Sequence, residues 1–312
     1  MKHDLKVTIY LIAIFFIAQI VGLAVINQYI DHQKSAETGK AEFKMLPLGI
    51  DRPDIAENIS WLYILVAVIV GTILVLLIIK FNSRIIWQIW FFIAVVLCLT
   101  VSFAGFIPRT VALVIAVLLG IFKVFKPNLY VHNFTEVFMY GGLAAIFVPI
   151  INVTSGLIIL ALISAYDIYA VWKSKHMVKM ANFQSESQVF AGLLIPYRSA
   201  KGKTKIGFIK RAANEVKAGK TVKKVEIRNA VLGGGDVGFP LIFAGVVMKN
   251  LMLADSVLAG FLKTLIIPVF VTIALTYLLF MAKKDKFYPA MPILSAGCII
   301  GYLIILGINM IM

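Results

Sequence analysis

Of the 15 acidic residues in the chain, two stand well inside long apolar runs: Asp167 in LISAYDIYAVW and Asp236 in VLGGGDVGFPLIF. Each costs on the order of 3 kcal/mol on membrane-insertion scales, and such residues face a bundle interior or a wet cavity, so each is a functional candidate. Asp167 precedes Lys173 by six residues and Asp236 follows Arg228 by eight. At the helical rise per residue, both carboxyls lie roughly 9 to 12 Å from cations at one membrane boundary. Their segments are consecutive and antiparallel, which makes facing carboxylates at one level easy. Two carboxyls about 3 Å apart in a low-dielectric site cannot both ionise and share one proton. The ionised member can then activate water, while the protonated one hydrogen-bonds the carbonyl under attack and passes a proton toward the leaving nitrogen. This chemistry needs no metal, cofactor or covalent intermediate.

Gly233, Gly234, Gly235 and Gly238 surround the second Asp. Each weakens a helix by about 1 kcal/mol relative to Ala. Small residues serve close helix packing, but beside a membrane Asp they also let a substrate backbone approach and let the helix start loosen. Tyr166 precedes the first Asp and reads either as an interfacial aromatic, like Tyr169 and Trp172, or as a hydroxyl that orients the carboxylate. Further on, YPAMP at 288–292 follows Lys283, Lys284 and Lys286. Its two prolines at a helix start leave free carbonyls and a kink.

The elements that must hold these groups are membrane helices. With 61% hydrophobic and 14% charged residues over 312 positions, the chain has too little polar surface for a water-soluble globule. Nine segments are apolar over the roughly 20 residues that a bilayer core demands: approximately 7–30, 59–80, 85–107, 109–125, 134–152, 153–173, 232–249, 256–282 and 289–312. The expected fold class is therefore an all-α polytopic membrane protein of about nine helices, a single membrane domain over 1–312. The first segment is too long for a signal peptide and lacks a small-residue cleavage site. Cys98 and Cys298 fall within helices, where a thiol behaves as a small apolar group.

With the N-terminus inside the cell, the inner segments carry 23 Lys and Arg against 6 outside, Lys263 lying within helix eight. That bias predicts a cytoplasmic N-terminus, a cytoplasmic basic loop at 174–231 between helices six and seven, and an external C-terminus, in the cell membrane. The net charge of +15 sits mostly in that loop, where juxtamembrane cations meet an acidic leaflet. It predicts lipid contact, not a nucleic-acid partner. Lys263 is expected to snorkel to the outer interface. Within the loop, 189–197 is an apolar patch, while 205–209 and 222–227 alternate as strands do.

Tyr166-Asp167, the Gly233-Gly234-Gly235-Asp236 run and Pro289-Ala290-Met291, in this order on candidate helices six, seven and nine, closely resemble the three motifs of presenilins and signal peptide peptidases. Gly-x-Gly-Asp alone also occurs in prepilin and preflagellin peptidases; the three together are far more specific, and the resemblance covers the whole nine-helix plan. It implies an intramembrane aspartyl endopeptidase with Asp167 and Asp236 as its catalytic pair. Gly233 and Gly235 would be the motif glycines and Pro289 to Met291 the active-site segment of the last helix. The family pattern has Leu where Met291 stands, a residue of similar volume. The charge bias looks like the presenilin orientation, and the short loop and N-terminus resemble an archaeal presenilin homologue. Partners would be transmembrane protein substrates within the bilayer.

A helical substrate hides its scissile carbonyls in internal hydrogen bonds, so an exposed strand edge is expected to hold it extended. Val222, Val225 and Ile227 are the apolar positions of such a strand, close before Asp236. The competing reading is an ion channel or a proton- or cation-coupled transporter built on membrane aspartates and broken helices. No internal duplication supports it. Zinc and serine intramembrane chemistries find no His-Glu-x-x-His motif, and none of His3, His32, His132 and His176 adjoins a membrane Ser in a recognisable motif.

Overall fold

The computed structural model describes residues 5–49, 51–81, 83–126, 128–173, 180, 183, 190–199, 226–282 and 288–311. A run such as SWLYILVAVIVGTILVLLIIK offers no proline and one terminal charge. In lipid its backbone must be satisfied within the segment, so it forms a helix. The described helices are α1 (Leu5–Tyr29), the short α2 (His32–Thr38), α3 (Ser60–Lys80), α4 (Arg84–Ala104), α5 (Arg109–Phe125), α6 (Leu129–Phe147) and α7 (Val153–Ile168), which runs on as a π turn over Tyr169–Lys173. Two strands follow, β1 (Gly192–Ser199) and β2 (Glu226–Gly233), then α8 (Gly234–Ala254), α9 (Val257–Thr264), α10 (Ile266–Met281) and α11 (Met291–Ile311). Side-chain caps start several of them: Asn128 accepts from the Tyr130 amide at 2.9 Å, Asn152 from Ser155 at 2.7 Å and Ser256 from Ala259 at 3.3 Å.

Among the described residues, eight helices are long and apolar enough to cross a membrane, with α9 and α10 counted as one broken span. The ninth expected segment is α5, a helix of 17 residues. The chain is thus an integral membrane protein of the expected class. Three differences from the expected spans stand out. The fifth helix begins at Leu129, five residues before the expected 134, because Asn128 caps it. The seventh runs to Ala254 and takes Lys249, expected in an outer loop, into a buried position, where its ammonium meets Glu57 at 3.1 Å. The eighth breaks at Leu265, between α9 and α10.

The centre of the bundle is α8, with 15 of its 21 residues buried. It packs on α1, α6, α7, α9, α10 and α11. Small residues permit these approaches: Gly142 of α6 meets the Cys98 carbonyl of α4, and Gly297 and Gly301 of α11 meet the backbone of α10. By contrast α3, packed on α7 and α4, buries only Ser60, Ile64 and Val75.

Candidate active site

Asp167 is the last residue but one of α7, and its side chain is buried within the bundle at 4% exposure. It reaches the start of α11. There Ala290 begins the helix by accepting from the Ile293 and Leu294 amides, and Pro292 lacks a donor that would be unsatisfied anyway. The Met291 amide is thereby left free, and it donates to Asp167 Oδ2 at 3.1 Å. One turn back, Ser164 donates to Ser295 Oγ at 2.9 Å and ties α7 to α11 beside the carboxyl.

Asp236 is the third residue of α8 and is likewise buried, at 9% exposure. Gly233, extended at φ −62° and ψ 148°, precedes the helix. The Asp236 carboxyl turns back toward it and faces its amide, the direction in which an acidic residue at this position of a helix reaches. A β-carbon at Gly233 would stand 3.2 Å from Asp236 Oδ2, so glycine leaves the carboxyl its room. Pro240 withdraws the amide that would bind the Asp236 carbonyl. Next to that gap Gln19 of α1, fully buried, donates from Nε2 to the Val237 carbonyl at 2.9 Å. The two carboxyls lie within electrostatic reach of each other. Each sits at a helix N-terminus, where backbone amides carry partial positive charge.

An antiparallel ribbon leads into this point. Gly192 pairs with Gly233, Leu194 with Val231 and Ser199 with Glu226, and the Gly234 amide donates to the Ala191 carbonyl at 3.2 Å. Both main-chain groups of Leu194 bond to the Asn133 side chain of α6, and the Gly192 carbonyl meets His132 Nε2 at 2.8 Å. These groups of β1 therefore point away from β2. By the alternation of an antiparallel ladder, the amides and carbonyls of Ile227, Asn229, Val231 and Gly233 point away from β1, along an edge that no third strand covers among the described residues.

The structure brings Asp167, Asp236, Gly233, Ala290 and Met291 together, with Pro289 buried beside Ala290. Gly235 is exposed at the start of α8, and a β-carbon there would meet only the Phe239 ring at 3.7 Å. The Tyr166 hydroxyl meets Thr72 Oγ1 of α3 at 3.0 Å. Of the expected strand positions, Ile227 lies in β2, while Val222, Val225 and the 205–209 alternation lie outside the described residues. Arg228 lies in β2, not in the helix. The depth of Asp236 reckoned at helical rise is thus corrected, since a strand advances about 3.3 Å per residue. Lys263, expected to snorkel, ends in an ion pair with Asp255 at 2.8 Å and a bond to Asn309 at 2.8 Å.

Sequence reasoning missed a third buried carboxylate. Glu136 of α6 is fully buried and binds Lys123 of α5 at 2.7 Å, and Lys123, counted as a loop cation, is buried too. The available signal was that the two lie near the ends of successive apolar segments, where a tight antiparallel turn brings them together.

Among the solved structures that resemble this chain are two of a presenilin family intramembrane aspartate protease. The one in a P2 space group is 16% identical with a TM-score of 0.58, covering 96% of each chain. The one in a C222 space group is 18% identical with a TM-score of 0.59, covering 96% of this chain and 99% of that one. At this identity the likeness is one of fold. Comparison with curated proteins gives no match. The sequence model of the signal-peptide peptidase and presenilin aspartyl proteases matches residues 12–310. With nearly the whole chain matched and the fold shared, this protein belongs to the signal-peptide peptidase and presenilin family, and it is an aspartic intramembrane endopeptidase.

Proposed function

We propose that Asp167 and Asp236 are the catalytic pair and that they cleave transmembrane segments of other membrane proteins. The observation that carries this reading is the convergence of two buried carboxyls, from α7 and α8, at two helix N-termini within electrostatic reach. With one proton shared, the ionised carboxylate takes a proton from a water lodged between the pair, and the oxygen attacks the scissile carbonyl carbon. The protonated carboxyl hydrogen-bonds the carbonyl oxygen, a tetrahedral diol forms, and a proton passes to the leaving nitrogen as the C–N bond breaks. The fixed Met291 amide holds the Asp167 carboxyl, and the Gly233 amide faces that of Asp236, so that little reorganisation is needed during the reaction. Pro289 to Met291 and Gly233 act as site support, and Gly235 leaves space for a substrate backbone.

The outward edge of β2 is the proposed docking strand. It ends at Gly233, three residues from Asp236, so a substrate unwound onto it by main-chain hydrogen bonds would enter the site in extended form. Ile227 lies on that edge, while Val222 and Val225, the other expected docking positions, lie outside the described residues. The chain acts as one membrane domain, with its N-terminus and the 174–231 loop in the cytoplasm and its C-terminus outside.

The deciding experiment incubates purified protein in liposomes with a single-span peptide substrate and compares wild type with Asp167→Asn and Asp236→Asn. Wild type is expected to cleave and both variants to be inert while remaining folded. Cleavage by either purified variant would end the assignment.

A further inference from the structure

Gly234 and Gly238 lie one turn apart on α8, and the ring of Tyr140 covers that face. A β-carbon at Gly234 would stand 3.3 Å from the Tyr140 hydroxyl and 3.4 Å from its ring, and one at Gly238 would stand 4.0 Å from the ring. Tyr140 is buried, and its hydroxyl donates to Glu136 Oε2 one turn earlier on α6. The other oxygen of Glu136 takes the Lys123 ammonium at 2.7 Å, and Lys123 also donates to Thr135 Oγ1 at 3.0 Å. Lys123 and Glu136 are 3% and 0% exposed. An ion pair this deep is seldom better for stability than apolar residues of the same volume, so its stabilising effect does not account for it.

Its geometry does. The pair fixes the phenol oxygen, and that oxygen lies against the first residue of α8 and within electrostatic reach of the Asp236 carboxyl. One turn earlier on α6, His132 and Asn133 hold β1. One side of α6 therefore sets both the ribbon that ends at Gly233 and the helix start that carries Asp236.

We infer that Tyr140, clamped by the Lys123–Glu136 ion pair, is a positioning residue for Asp236: it fixes where the first turn of α8 and its carboxyl rest relative to the partner Asp167. This rests on the aspartyl-pair reading above.

The test measures kcat, KM and the pH profile of cleavage of one single-span substrate in liposomes, with thermal unfolding followed in parallel. Tyr140→Phe keeps the ring over Gly234 and Gly238 and removes only the oxygen. It is expected to unfold somewhat below the wild-type temperature, because the buried Glu136 loses a donor, yet to stay folded under the assay, to keep KM within about twofold, to lose about 10- to 100-fold in kcat as a misplaced catalytic group does, and to shift the pH profile. Adding Glu136→Gln to Tyr140→Phe should cost little more, although Glu136→Gln alone should cost about as much as Tyr140→Phe, because both act through one oxygen. Wild-type kcat and pH profile in Tyr140→Phe would overturn the inference. So would a fall in kcat accompanied by an equal loss of folded protein. If Glu136→Gln does not accumulate in folded form, Tyr140→Phe alone decides. Asp236→Asn, run beside them, separates the two readings: an inert Asp236→Asn with a fully active Tyr140→Phe leaves the aspartyl pair standing and removes only the positioning role.

Discussion

Asn133 and Leu194 form a two-point pair: the Asn133 side-chain amide donates to the Leu194 carbonyl at 2.8 Å, and the Leu194 amide donates back to Asn133 Oδ1 at 3.0 Å. A side chain on a helix thus occupies the place of a neighbouring strand, so that edge of β1 is closed and the open edge of the ribbon belongs to β2.

The first prediction follows from that asymmetry. Val231 is half-exposed and its amide points to the open edge, so Val231→Pro removes a docking donor without breaking the β1–β2 ladder. Cleavage of a transmembrane substrate should fall about 5- to 10-fold, the value of one or two hydrogen bonds, while Val231→Thr stays near wild type. Undiminished cleavage by folded Val231→Pro would remove β2 as the docking strand and leave the aspartyl chemistry untouched.

A second prediction concerns helix packing. A β-carbon at Gly142 would stand 1.9 Å from the Cys98 carbonyl oxygen, backbone that cannot step aside, whereas one at Gly71 meets nothing within 4 Å. Gly142→Ala should destabilise by about 1–3 kcal/mol or more, in the manner of an overpacked core, and Gly71→Ala should be neutral or slightly stabilising. Thermal unfolding of the two variants in the same detergent checks the contrast.

A third prediction concerns access from the bilayer. Asp167 lies on α7, and α3, the helix beside α7 that is joined to it by the Thr72–Tyr166 contact, has only three buried residues. Movement of α3 away from α7 is the step expected to admit a substrate. Thr72→Cys combined with Tyr166→Cys, bridged by a short bismaleimide, should lose cleavage of a transmembrane substrate relative to the same variant left unbridged. Equal rates in the two forms would exclude this route.

The fourth prediction is topological. Cys98 and Cys298 are buried and will not compete for label. Glu37→Cys should react with an impermeant maleimide added to intact cells, and Lys203→Cys only after permeabilisation. The reverse pattern would invert the orientation proposed from the charge bias.

Asp167 and Asp236 were legible in the sequence because a carboxylate amid some 20 apolar residues has no cheap explanation, and the class of fold followed from the same apolar runs. Glu136, Lys123 and Lys249 were not. Each lies near the end of its run, where a charge is ordinary, and each is tolerated inside because a partner from another element meets it. Such a pairing belongs to the tertiary fold and leaves no local pattern. The ribbon was half legible. The apolar patch at 189–197 became β1, and the alternation at 222–227 overlaps β2 only at its start. Of the remainder of β2, 228–231 fell in the expected basic loop, and only Leu232 and Gly233 read as the beginning of an apolar helix.

The sparse burial of α3 makes the bilayer itself a participant. This helix of 21 residues spans about 31 Å at the helical rise, close to the thickness of a hydrocarbon core, and lipid tails are its main neighbours. A thinner or thicker membrane will tilt or strain α3 at a fraction of a kcal/mol per ångström of mismatch, while α8, locked among six other helices, stays where it is. The enzyme thus carries one element tuned by its lipid solvent beside a catalytic core that is insulated from it, and cleavage rates in vesicles of different acyl-chain length will register that difference.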